Sequence, residues 1–95
     1  MAKLDPLIHA PARLQVVTTL SAVSEAEFTT LRAAVEVSDS VLSKHLSALA
    51  DAGYVRSRKA VREGRRTTWI ALTSAGRTAL HEHVAALREL IDVVD

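Results

Sequence analysis

Cysteine is absent from the sequence, and tryptophan, tyrosine and phenylalanine each occur once in 95 residues. The lack of cysteine excludes disulfide bonds, thiolate metal sites and a cysteine redox switch. It also suits a reducing compartment, and we expect a cytoplasmic protein. Because aromatic residues are so few, the core must consist of leucine, valine, isoleucine and alanine, a composition that favours helix.

Long hydrophobic runs are also lacking. No segment approaches the roughly 20 apolar residues that span a bilayer, and the apolar start of the chain is interrupted by Asp5, His9 and two prolines. We therefore expect neither a signal peptide nor a membrane partner. The length suits a single domain, residues 1–95, without a separate catalytic or sensor domain.

Motifs for enzymatic chemistry are missing too. The sequence has no phosphate-binding glycine loop, no HExxH and no supported Ser-His-Asp arrangement, so we expect no enzyme. Four histidines raise the hypothesis of a metal site. However, His81 and His83 would point about 200° apart on one helix and could not chelate one ion. His45 is expected to face the core, and a meeting of His9 with His83 across a dimer is conceivable but nothing in the sequence requires it. We predict no metal and no cofactor.

Positive charge is concentrated in one short segment. The net charge is only +1, but residues 53–66 carry six basic residues against one acid, a local charge of +5. Such a segment on a nearly neutral domain suggests a polyanionic partner. The alternative is that the cations only solubilise an edge strand, with some paired to acids nearby. The basic residues are Arg56, Arg58, Lys59, Arg62, Arg65 and Arg66.

Cap residues and apolar spacing predict mostly helix. Asp5-Pro6 predicts a short helical turn. Ser24 and Glu27 have capping-box spacing, while a brief extended segment at Phe28 stays open as the alternative. Gly53 is suited to end a helix in the left-handed conformation. The longer predicted helices are 11–23, 30–35 capped by Thr29, 39–52 capped by Ser38, and 74–94 capped by Thr73.

A basic hairpin is predicted between the last two helices. Residues 54–60 and 66–72 have the composition of strands, and Gly64 allows a turn within residues 61–65. A lone hairpin is marginal in water, so Val55, Ile70 and Leu72 should pack on the helices, with Trp69 on the other face. The order helix, helix, helix, hairpin, helix is the winged helix-turn-helix arrangement. It is mostly α, with the helix-turn-helix at about 30–52 and the wing at about 54–72.

The helix 39–52 has two unlike faces. At about 100° per residue, Leu42, His45, Leu46 and Leu49 share the side expected to face the core. The opposite side carries short polar residues and one cation: Ser40, Ser43, Lys44 and Ser47. Serines allow close approach, and their hydroxyls can bond to phosphates or base edges. An ordinary solvated surface is the alternative interpretation.

Two motifs carry a family resemblance. Residues 38–55, SDSVLSKHLSALADAGYV, resemble the recognition helix and exit of MarR-like and ArsR-like bacterial repressors. Leu72-Thr-Ser-Ala-Gly-Arg77 is similar to the strand-to-helix junction of the MarR group, usually Leu-Thr-x-x-Gly-Arg. The motifs flank the basic hairpin as in that family, and the resemblance, closest to its compact stand-alone domains, covers nearly the whole chain.

The resemblance implies a transcriptional regulator that binds double-stranded DNA as a homodimeric repressor. The helix 39–52 would lie in the major groove, and the hairpin would follow the backbone or enter the minor groove. This chain is shorter than full-length MarR proteins at both ends, so a small-molecule effector, although possible in principle, has no support. The expected DNA contacts are Ser38, Asp39, Ser40, Ser43, Lys44, Ser47, Arg62, Arg65 and Arg66.

The last helix, about 74–94, is the expected dimer contact. Its apolar residues alternate at spacings of four and three, which is a heptad pattern, and Leu90 and Val93 widen the apolar surface. Packing on the helix 11–23 of the same chain is the alternative. The expected interface residues are Leu80, Val84, Leu87, Ile91 and Val94.

Two other functions remain open at the level of the sequence. A winged helix used as a protein–protein interaction module would carry leucine, methionine or aromatic residues where the helix 39–52 carries serines. Double-stranded RNA would present a major groove too deep and narrow for that helix.

Overall fold

A computed structural model describes residues 3–94. It has the winged helix-turn-helix architecture predicted above, with a third strand added to the hairpin. Among the described residues, no helix combines the length and apolar character needed to cross a membrane. The elements are α1 (Pro6–His9), α2 (Pro11–Ser21), β1 (Ala26–Glu27), α3 (Phe28–Val35), α4 (Asp39–Asp51), β2 (Val55–Arg62), β3 (Arg65–Leu72) and α5 (Ser74–Val94).

The first two helices begin where the prolines predict. Asp5 caps α1, and its Oδ1 accepts hydrogen bonds from the amides of Leu7 at 2.9 Å and Ile8 at 3.4 Å. α2 begins at Pro11 but ends at Ser21, two residues before the predicted end. The amides of Ala22 and Val23 donate to the carbonyls three residues before them at 3.3 Å, so the last turn tightens and the helix ends.

The start of α3 differs from the prediction. The helix begins at Phe28, and Glu27 rather than Thr29 occupies the capping position. The extended segment is Ala26–Glu27, which pairs with β3 opposite Ile70 and Trp69. Pairing with β3 holds Glu27 in an extended conformation, and the helix can begin only after it. A strand of two residues depends on its distant partner, which local spacing does not reveal.

The turn between α3 and α4 follows the sequence closely. Glu36 ends α3 in the left-handed conformation with φ of 58°. Ser38 caps α4 as predicted, accepting a hydrogen bond from the amide of Val41 at 3.2 Å. A salt bridge of 3.2 Å between Arg32 Nε and Asp39 Oδ1 joins the two helices. At the other end of α4, Gly53 has φ of +79° and provides the predicted stop.

The wing, defined as β2, β3 and their connection, lies where it was predicted, but its strands are longer and its turn is shorter. The predicted turn over residues 61–65 is reduced to Glu63 and Gly64, both with positive φ, as in a type I′ hairpin. Arg62 therefore lies directly opposite Arg65 at the ends of the strands. β3 is central in the sheet, between β1 and β2.

The core is aliphatic, as the shortage of aromatic residues predicts. Val55, Ile70 and Leu72 are buried on the helices as expected. Leu80, expected at the dimer contact, is instead part of this core with 6% exposure. The buried cluster consists of Ile8, Val16, Val17, Leu20, Leu31, Val35, Leu42, Leu49, Val55, Ile70, Leu72 and Leu80.

Asp5 connects three distant parts of the fold. Its Oδ2 accepts a hydrogen bond of 2.6 Å from the hydroxyl of Tyr54, and its amide donates to Nδ1 of His83 at 2.9 Å. His83 is fully buried, and its ring lies 5.4 Å from that of His9 in the same chain. The two histidines therefore meet within one chain, and their contact needs no dimer. Within residues 3–94 no three histidine or acidic side chains are grouped as for a metal ion.

The buried imidazole of His83 should make the stability of the fold depend on pH. Burial lowers the pKa of His83 from its usual 6.5, and His9 acts in the same direction. The unfolded chain therefore takes up the proton first, so the contribution of His83 to stability is complete above about pH 6.5 and is lost as the pH falls. Urea unfolding should show this loss, and His83→Asn, which keeps an acceptor for Asp5, should reduce it. His81→Gln, at an exposed position two residues away, should not; equal effects would contradict the assignment.

Candidate nucleic-acid interface

The two faces of α4 are as predicted. Leu42 and Leu49 are buried, and His45 and Leu46 are half-buried. The four outward residues, Ser40, Ser43, Lys44 and Ser47, are all exposed. Serine side chains project little from the helix. If the helix enters the major groove of DNA, the base edges can therefore come close to its backbone.

The N-terminal end of α4 continues this surface. Ser38 and Asp39 are exposed, and the hydroxyls of Ser38 and Ser40 lie 3.3 Å apart. Asp39 brings a negative charge close to the expected position of DNA, but Arg32 partly offsets it and engages Oδ1. The other carboxylate oxygen has the chemistry to accept a hydrogen bond from a base amino group.

A groove of about 450 Å³ separates α4 from the wing. Ser43 and Ser47 line one wall, and Lys59 and Thr68 line the other. Lys59 pairs with Thr68 across the strands, and Val61 pairs with Arg66, so Lys59 and Arg66 share the face of the wing that looks toward α4. Lys59 was not among the expected DNA contacts, although it stands at even spacing from the inward Val55.

The other four exposed cations of the wing lie on its opposite face. Cross-strand pairing sets Arg62 against Arg65, and Arg56 shares their side. The wing arginines expected to act together therefore divide, with Arg66 on the inner face and Arg62 and Arg65 on the outer face next to the turn. Like charges directly opposite each other are unfavourable in isolation, and a bound anion would relieve that cost.

Arg58 also lies on the outer face, but it is engaged. Its Nε donates to Oε2 of Glu25 at 2.9 Å, and its Nη2 donates to Oε1. This interaction lowers the pKa of Glu25 and raises that of Arg58. The guanidinium carbon is 5.6 Å from the ring centre of Trp69. Pairing of a wing arginine with an acid, and packing of Trp69 on the outer face, agree with expectation.

The apolar pattern of α5 divides along its length. Val84 and Leu87 are half-buried, and Val84 packs on the core next to Leu80. Beyond them every residue from 88 to 94 is exposed, including Ile91 at 57% and Val94 at 86%. The expected interface therefore contracts to the C-terminal end of the helix.

Comparison with known proteins gives a consistent result. Residues 12–91 match the family model described as winged helix DNA-binding domain. An uncharacterized protein of Methanocaldococcus jannaschii is 27% identical over 84 residues, which cover 88% of this chain and 91% of that protein.

Several solved structures share the fold. A transcriptional regulator homologue from Pyrococcus horikoshii superposes with a TM-score of 0.88 at 22% identity, over 94% of this chain and 88% of that one. HlyU from Vibrio cholerae gives 0.66 at 26% identity, over 79% and 77%. A MarR family transcriptional regulator from Silicibacter pomeroyi gives 0.69 at 28% identity, over 93% and 58%.

Proposed function

Because the chain belongs to the family of winged helix DNA-binding domains, we propose that it is a dimeric repressor that occludes promoters by binding duplex DNA. As a member of that family it is a DNA-binding protein involved in transcription regulation and not an enzyme. The observation that carries the proposal is the groove between α4 and the wing, with serines on one wall and cations on the other. Footprinting across the genome should find the bound sites overlapping promoters.

In the proposed complex α4 lies in the major groove. Ser40, Ser43 and Ser47 let the helix approach, and Lys44 supplies a contact to a phosphate or a base. The phosphate backbone bordering that groove would then run past the inner face of the wing, near Lys59 and Arg66. A protein–protein interaction module would expose several large apolar side chains on α4. In this helix, which lies wholly within the described residues, Val41 at the edge of the surface is the one large apolar side chain that is exposed, so that alternative has no comparable support.

The first test of this arrangement addresses α4. Ser43→Ala/Lys44→Ala should weaken binding to the cognate site by roughly 1–3 kcal/mol, because a base or phosphate contact is lost at an exposed position. Thermal stability should barely change. Arg88→Ala, which removes an exposed cation from α5, is the control and should bind nearly as the wild type does. Unchanged affinity of the double variant would remove α4 from the interface.

The second test addresses the inner face of the wing. Each phosphate neutralised contributes about 0.9 to the slope of log affinity against log salt. Lys59→Ala/Arg66→Ala should therefore flatten the slope by roughly two units per subunit. The affinity should fall by a similar factor on specific and random DNA, since phosphate contacts carry little sequence information.

The matched control for the wing is Arg62→Ala/Arg65→Ala, which removes the same charge from the outer face near the turn. If these two arginines enter a minor groove, the fall in affinity of this variant should be larger on DNA with A·T-rich flanks. A salt slope that neither pair alters would mean that the wing does not contact DNA.

A further inference from the structure

A bidentate ion pair ties the wing to the loop before β1. The carboxylate of Glu25 receives two hydrogen bonds from the guanidinium of Arg58. Trp69 stands directly opposite Arg58 in the sheet, and its indole Nε1 donates to Oγ1 of Thr67 at 3.2 Å. The loop before β1 and both strands of the wing therefore meet in one cluster, which we call the Glu25 clamp: Glu25, Arg58 and Trp69.

The clamp lies where the wing leaves the body of the protein. β1 supports β3 only at Ile70 and Trp69, because β1 is two residues long. From Trp69 toward the turn the wing is a ribbon of two strands, and such ribbons are marginal and free to twist. Four of the wing cations lie on this ribbon: Lys59, Arg62, Arg65 and Arg66. The clamp therefore lies at the base of the two-stranded ribbon that carries these cations.

The energetics favour an orienting role for the clamp. Exposed ion pairs stabilise proteins little unless their geometry is bidentate and held by neighbours. Here the side chain of Arg58 is 56% exposed and that of Glu25 is 31% exposed, but the fork is bidentate and lies beside the indole. A planar guanidinium fixed in this way restricts the direction of β2 relative to the loop before β1.

We propose that Glu25 is a positioning residue for DNA binding, which holds the ribbon of the wing at a fixed orientation to α4 through Arg58 and Trp69. The inference rests on the proposed function, since it concerns how the cations of the wing reach the DNA that α4 engages. Without the clamp, the cations keep their charge but are no longer held at a fixed orientation to α4.

The decisive variant is Glu25→Gln, because two explanations predict opposite results. Removal of an acid beside a cationic wing should tighten DNA binding if only charge matters. If Glu25 positions the wing, affinity for duplex DNA should instead fall about threefold to fivefold. The salt slope should also flatten by about one unit per subunit. Glu63→Gln, at the tip of the same wing, removes the same charge and should bind slightly more tightly.

A second variant separates geometry from charge. Arg58→Lys preserves the positive charge but loses the bidentate fork and the stacking on the indole. It should reproduce the weaker binding and the flatter slope of Glu25→Gln. Trp69 is the only tryptophan in the chain, so its fluorescence reports the cluster directly. Both variants should shift its emission and increase its quenching by iodide, while Glu63→Gln should do neither.

The outcomes distinguish this inference from the function on which it rests. Weaker binding, a flatter slope and altered fluorescence in both variants would support the positioning role. Binding as tight as wild type in Glu25→Gln, with the slope unchanged, would overturn it while leaving DNA binding established. A wild-type protein that binds no duplex DNA would overturn the proposed function, and the role of Glu25 with it.

Discussion

Gly76→Ala is expected to destabilise the fold by about 3 kcal/mol, although glycine to alanine inside a helix ordinarily stabilises by up to about 1 kcal/mol. A Cβ at Gly76 would overlap the carbonyl oxygen of Tyr54 and lie 2.7 Å from Cδ1 of Leu72. That carbonyl cannot move away easily, because it accepts a hydrogen bond of 2.9 Å from the amide of Thr73. The first turn of α5 would have to separate from the start of β2.

Urea unfolding measures this effect. Thr78→Ala, at an exposed position in the same helix, is the control and should change stability little. If Gly76→Ala were as stable as the wild type, the close approach between α5 and Tyr54 would not exist in solution.

The same region explains why the Leu-Thr-x-x-Gly-Arg motif identifies this fold. The hydroxyl of Thr73 accepts from the amide of Gly76 at 3.0 Å and donates to the carbonyl of Gly53 at 2.6 Å. Arg77 donates to the carbonyl of Ser21 at 3.2 Å, where α2 ends. Each polar position of the motif joins two elements, so the motif reports the architecture and not the contact with DNA.

The features that the sequence predicted correctly are those that neighbouring residues determine. Ser38 bonds to an amide three residues away, and Gly53 adopts positive φ without reference to distant parts of the chain. β1 and the bonds of Asp5 to Tyr54 and His83 depend on residues 40 to 80 positions away. Local patterns contain no information on such partners.

The candidate site was predictable as a surface but not in its detail. Charge density located the wing, and helical spacing located the outward serines of α4. To predict that Arg62 and Arg65 lie on a different face from Arg66, the register of the hairpin must be known. That register is fixed by the turn of two residues. The turn predicted from Gly64 was longer, so it left the faces of these arginines undetermined.

The heptad pattern of α5 raises a related problem. The spacing shows which side of the helix is apolar, but it does not show how much of that side the same chain covers. Leu80 belongs to the core of its own chain, whereas Leu90, Ile91, Val93 and Val94 are each more than half exposed. Four exposed apolar side chains within two turns of a helix are costly in water, and a second copy of the chain would cover them.

Ile91→Glu/Val94→Glu is therefore expected to convert the proposed dimer into monomers. Each monomer should keep its fold, since both positions lie outside the buried core. Affinity for a site with two half-sites should fall on the order of 100-fold, because the two recognition helices are no longer linked. Affinity for a single half-site should be nearly unchanged, which distinguishes lost assembly from a damaged DNA surface.

Sedimentation velocity and titrations on DNA with one or two half-sites, about 34 Å apart, would measure both effects. Thr78→Glu/His81→Glu introduces the same two charges at exposed positions nearer the start of α5 and should remain dimeric. The charge cost differs between the pairs because carboxylates at positions 91 and 94 would be buried against apolar partners, where an unpaired charge is strongly disfavoured. A wild-type protein that sediments as a monomer at tens of micromolar would contradict the dimer. The exposed end of α5 would then require another explanation.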